Sequence, residues 1–122
     1  GTGAEIYNSI FTGFKRGCID IDDQQTADAD MILFENNIVD CNVNFEAEAD
    51  ESWSVDELFS VDFGNMMVSA GLNGYAPTSS SAARIGSDIT PLDPFFDIVD
   101  FIGAVKNEND TWFKNWTNLL RD

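Results

Sequence analysis

Asp20, Asp22, Asp23, Asp28 and Asp30 crowd one short stretch of this chain. Carboxylates gathered in a loop suit a hard divalent cation, and calcium takes about six to eight oxygen ligands. These five residues are therefore a candidate calcium site. The stretch is not an EF-hand, since the loop Gly and terminal Glu are missing at the required spacing. Nor is it the Gly-rich nonapeptide calcium repeat. The same residues would serve equally as a solvated acidic loop, and both readings stay open. Lys15 and Arg16 lie beside Asp20 and Asp22. Such a set can be read as polysaccharide lyase or hydrolase machinery, where paired carboxylates stand about 5–9 Å apart. The chain holds no His. That removes the commonest general base and transition-metal ligand, and leaves no Ser-His-Asp or Cys-His site within it. With two Cys and no His, zinc is not expected.

Six basic and 22 acidic residues give a formal net charge of −16. Nucleic acid needs a basic footprint, so that partner is not expected. Anionic membrane surfaces are disfavoured for the same reason. No apolar run approaches the roughly 20 residues that span a bilayer, so no membrane insertion is expected. The chain has 122 residues, 43% of them apolar, ten of them Phe. This is one domain by length, with material for a core. It opens on Gly1-Thr2-Gly3 with neither a Met nor a secretory signal. We therefore expect a mature, processed or partial chain.

The elements that must position these groups read as successive coils. The first contains Ile6-Tyr7-Asn8-Ser9-Ile10-Phe11, then Cys18-Ile19-Asp20-Ile21. The second contains Phe34-Glu35-Asn36-Asn37-Ile38-Val39, then Asn42-Val43-Asn44-Phe45. Period-two alternation puts Ile6, Asn8 and Ile10 on one face, and Ile32, Phe34, Asn36 and Ile38 on the matching inward face. Asn8 then stacks on Asn36, and buried Asn side chains in line can satisfy one another and the turn backbone. A coil of this kind cannot bury its own apolar face and must stack on a neighbour. The first coil needs a neighbour before it, so Ile6, Asn8 and Ile10 are the expected interface. Stacking Ile19 and Ile21 on Val43 and Phe45 would put Cys18 over Asn42, one register from Cys41. A Cys18–Cys41 disulfide is within reach at that separation. Two buried thiols are the alternative. A bridge would favour an oxidising compartment.

Residues 22–30 read as a polar loop. After the acidic stretch 46–52, Ser54-Val55-Asp56-Glu57 matches a capping box, with Trp53 and Leu58 at the staple positions. A short helix should follow and stop near Asp62-Phe63-Gly64. In the tail, Phe96 and Ile98 offer an apolar face to a strand. Trp112 and Trp116 share one side of a helical turn and would cap the coil end, since open strand edges template aggregation.

The tail reads Phe95-Phe96-Asp97-Ile98-Val99-Asp100-Phe101-Ile102-Gly103-Ala104, then an acidic turn, then Trp112 and Trp116-Thr117. It resembles the C-terminal segment of secreted bacterial right-handed parallel β-helix proteins of the pectin-lyase-like kind. That resemblance implies an exported or cell-surface protein and a β-helix near its C-terminal end, without an activity. The expected fold is mainly all-β. Residues 1–45 form stacked β-helix rungs, and residues 46–122 an acidic connection, a short helix and a capping segment. The expected function is a non-catalytic structural or interaction module whose partner is another protein chain or further copies of itself. Two alternatives remain: a carbohydrate-active domain acting on a polysaccharide, and a subunit of an extracellular filament or surface layer.

Overall fold

A computed structural model describes residues 3–28, 31–49, 51–86 and 94–115. Asp30 and Trp116 lie outside the described residues. Strands predominate and helices are few. In order, β1 (Ala4–Tyr7), β2 (Ile10–Thr12), β3 (Gly17–Ile19) and the one-turn helix α1 (Gln24–Ala27) make a first level. A second level contains β4 (Ile32–Glu35), β5 (Ile38–Asp40), β6 (Val43–Phe45) and α2 (Val55–Leu58). A 3-10 turn at Val61–Phe63, the hairpin β7 (Leu72–Asn73) and β8 (Ala76–Pro77), and a 3-10 turn at Ala82–Arg84 follow.

The two levels stack strand on strand, all in parallel: β1 on β4, β2 on β5, β3 on β6. Ile6 faces Phe34 and Ile10 faces Ile38, so Asn8 comes level with Asn36 as the alternating pattern requires. A third level begins where Ile38 bridges Met66 in parallel. Its backbone joins the second level through Asn36 N to Phe63 O at 3.0 Å and Met66 N to Asn37 O at 2.8 Å. Each level can use the one before it as a template because the turn recurs 28 residues on.

That turn reverses part of the expected facing. Asn8, Asn36 and Gly64 all adopt positive φ, 46°, 58° and 75°. This left-handed region is open to Gly and, among other residues, mainly to Asn and Asp. One left-handed residue breaks the alternation of the strand. Ile6 and Phe34 therefore join a core with Phe11, Val39, Ile19, Ile21 and Phe59. Ile10 and Ile38 turn to the opposite face, where Ala70, Ala83 and Ile102 cover them. The shared inward face of Ile6, Asn8 and Ile10 does not form.

The third strand pair, β3 on β6, also differs in register from the expected stacking. Gly17 faces Val43 and Ile19 faces Phe45. The connection at 41–42 is shorter than that at 13–16, which slides Val43 back onto Gly17 and leaves Ile21 beyond the pair. Cys18 and Cys41 nonetheless come to a Cα–Cα distance of 6.0 Å and are joined as a disulfide.

The capping-box helix forms over a single turn. Ser54 is its N-cap, but its hydroxyl turns to the Asp56 carboxylate rather than to a backbone N–H. Trp53 and Leu58 both pack on the first core, and Trp53 Nε1 donates to Ile21 O at 3.0 Å. The expected loop at 22–30 contains α1, started by Asp23, whose carboxylate accepts the Gln25 N–H at 2.7 Å. Phe96 and Ile98 enter no strand and are 55% and 78% exposed. Ile102 and Val105 are the buried anchors of the tail.

Candidate functional site

Among the described residues, two places bring together groups that could form a site. The first is the free end of the first level. Ala4 N donates to Met31 O, and Asn8 N to Glu35 O, so both N–H groups face the second level. Strand alternation then points the N–H groups of Glu5 and Tyr7 the other way. Among the described residues β1 pairs with β4 alone. Beside this edge, a cavity of about 480 Å³ opens onto the first core at Ile6, Phe11, Ile19 and Ile21. Asp20, Asp22 and Asp23 rim it.

The three expected interface residues separate here. Ile6 lines the opening. Asn8 is engaged from the tail, its carbonyl accepting the Gly103 N–H at 2.7 Å. Ile10 lies against Gly103, where an added Cβ would sit 2.9 Å from the Ile10 side chain. The tail thus covers the turn and β2 side of the first level. Both amide atoms of Asn8 are buried without a hydrogen-bond partner. The neighbouring position carries the polar ladder instead. Asn37 Oδ1 accepts Ser9 N, and Asn65 Oδ1 accepts Asn37 N.

Trp112 donates through Nε1 to Ala104 O at 2.6 Å and stacks edge-on with Phe113. With Tyr75, Leu72 and Ile10 it borders a second, apolar opening of about 650 Å³. Trp112 is 52% exposed and sits at the side of the first level rather than across its open end.

The second place is a carboxylate cluster where the levels meet. Oxygens of Asp20, Asp22 and Glu51 lie within 4.8 Å of one another. Asp20 and Asp22 follow β3, while Glu51 comes from the next level. The Asp20 carboxyl, though exposed, is pushed above the usual range, first by loss of some hydration against its neighbours, then by the charges of Asp22 and Glu46 and a hydrogen bond with Asp22. Arg16 opposes this weakly, because its guanidinium is paired with Glu46. Of the other residues read as ligands, Asp23 caps α1, and Asp28 accepts Gln24 Nε2 at 2.7 Å. Neither enters the cluster. Glu51 does, and the loop reading passed over it. Its signal was its place one 28-residue repeat after Asp23, the repeat seen in the Ser9–Asn37 bond.

No helix among the described residues is long and apolar enough to cross a membrane. No family model, curated protein or solved structure matches this chain.

Proposed function

We propose that this chain is a non-catalytic structural or interaction module. In this reading it forms the end of a right-handed parallel β-helix in an exported protein, and its first level receives a further coil. The observation that carries the reading is the open end of the first core. Ile6 and Phe11 line an uncovered cavity beside a strand whose Glu5 and Tyr7 N–H groups point outward. An apolar end next to unpaired donors suits strand addition by a chain of the same period. The partner is a preceding coil, another chain or a further copy. The Cys18–Cys41 bridge is compatible with an oxidising, exported setting, and the resemblance of the tail points the same way.

The carbohydrate-active alternative has less support. Asp20, Asp22 and Glu51 converge within 4.8 Å, tighter than the about 5–9.5 Å of glycosidase carboxylate pairs. The filament reading is the case in which the added coil comes from a second copy.

Light scattering at several concentrations, with mass spectrometry of the species found, tests the proposal. The expected result is an assembly heavier than 13.5 kDa. Glu5→Pro removes an outward N–H, leaves the β1–β4 bonds intact, and should return the chain to a monomer. A monomer of 13.5 kDa at every concentration would overturn the proposal.

A further inference from the structure

We infer that Asn73 is a modification site, where the Gly74 backbone nitrogen attacks the side-chain amide, releases ammonia and unlatches the β7–β8 hairpin. Asn73 is the one Asn in the chain that a Gly follows. Both residues are exposed, at the turn between Leu72–Asn73 and Ala76–Pro77. A Cβ added at Gly74 would meet nothing within 4 Å, so the turn has open space for ring closure. Gly also gives the backbone the freedom that closure needs.

The step needs only water. Gly74 N, having lost its proton to solvent, bonds to Asn73 Cγ. The Cγ–Nδ2 bond breaks, and the amide nitrogen takes a proton from solvent and leaves as ammonia. Attacking and leaving groups already share one chain, which makes the reaction intramolecular. Water then opens the succinimide ring at either carbonyl. One opening leaves an aspartyl linkage. The other leaves an isoaspartyl linkage, in which the main chain runs through the former side chain and gains a carbon.

Comparable Asn steps are held shut by the fold. At Asn8-Ser9 the Ser9 N–H donates to Asn37 Oδ1 at 2.8 Å, and the Asn8 amide atoms are buried. At Asn36-Asn37 the Asn37 N–H donates to Asn65 Oδ1 at 3.1 Å. At Asn109-Asp110 the Asp110 N–H donates to Asn107 O at 3.0 Å. An N–H engaged in this way keeps its proton and cannot turn toward the side chain before it. Gly74 lies outside the hairpin's residue pairs, which are Leu72 with Pro77 and Asn73 with Ala76.

The hairpin has little to hold it once the chain lengthens. Pro77 brings no N–H to its ladder. An extra backbone carbon at position 73 slides it off Ala76, since register sets every pair in a strand. Leu72 packs on the second core, and Tyr75 borders the apolar opening beside Trp112. The change therefore reaches the wall of that opening and adds a negative charge to it. The inference does not rest on the assembly proposal.

Ageing of the folded protein in neutral buffer, followed by peptide mapping, tests it. The expected result is a gain of about 1 Da on the peptide that contains Asn73, with isoaspartate, read by isoaspartyl methyltransferase, as the larger product. The rate should rise about tenfold per pH unit around neutrality, as attack by a deprotonated amide requires. Gly74→Ala should slow it about tenfold or more. Ala is strained at this position, where φ is 62°, so Asn73→Gln is the second variant. It keeps an amide on a longer arm and should lose the gain with the hairpin intact. In the isoaspartyl fraction, amide exchange at Ala76 should quicken. No gain at Asn73 would overturn the inference. So would a gain that falls first on Asn8 or Asn36, or unchanged exchange at Ala76 in the isoaspartyl fraction.

Discussion

Asn37 Oδ1 accepts the backbone N–H of Ser9 at 2.8 Å, across 28 residues of chain. The Asn37 amide Nδ2 donates to Ile6 O at 2.8 Å and to Asn65 Oδ1 at 3.1 Å. The side chain is wholly buried. One residue thus satisfies backbone groups of the preceding level and is itself tied to the following one.

Asn37→Ala would leave the part-buried Ser9 N–H without its partner and remove the bonds that Asn37 donates to Ile6 O and Asn65 Oδ1. Unmet groups of this kind cost about 1–3 kcal/mol each. We expect a loss of roughly 2–4 kcal/mol, read as a lower urea midpoint at unchanged slope. Asn36→Ala, one residue away, loses no ladder bond and should cost less, about what the left-handed backbone demands.

Gly64 is the third residue at the left-handed position, with φ 75°. A Cβ there would collide with Asn36 Oδ1. Gly64→Ala should therefore cost more than the about 1–2 kcal/mol of backbone strain alone. Adding Asn36→Gly should relieve the excess. A urea-denaturation double-mutant cycle showing no coupling between the two sites would contradict this.

The Cys18–Cys41 bridge closes a loop of 23 residues' separation between adjacent levels. Constraint of the unfolded chain by such a loop contributes about 3 kcal/mol. Replacing both Cys by Ala should lower unfolding stability by that order. Reductant should destabilise the wild type and leave the double variant untouched.

The Asp20 carboxyl titrates above its usual range because local desolvation and the charges of Asp22 and Glu46 oppose ionisation. A raised carboxyl pKa means the folded state holds its proton more tightly than the unfolded one. Its contribution is fully present below the unfolded value and is lost as pH rises through the folded value. Asp20→Asn should therefore stabilise the protein at neutral pH. The gain should fade as pH falls below the ordinary Asp range, in paired melting curves across pH.

The stacking of the first two levels was legible because Asn8-Ser9 and Asn36-Asn37 mark the same turn in both, and apolar residues flank it. The register Ile6–Phe34 and Ile10–Ile38 follows from that marker alone. The side on which Ile10 and Ile38 lie was not legible by alternation, because a single left-handed residue inverts everything after it. The third level hid behind Gly64, which takes the left-handed place without resembling Asn. Asn65 was the readable sign. Within the carboxylate cluster, Asp20 and Asp22 stood in one acidic run. Glu51 joins them only through the fold, by the stacking of one level on the next.

The ladder also has a direction. Asn37 serves Ser9 and Ile6, which precede it, and Asn65 Nδ2 serves Phe34 O at 2.7 Å. A chain growing from its N-terminus leaves each turn incomplete until the next Asn emerges. The wait is the same 28 residues at each of these steps, so loop-closure entropy does not grow as the stack lengthens. Assembly can advance as a zipper of equal strides, with its rate set by one local closure rather than by the length of the whole chain.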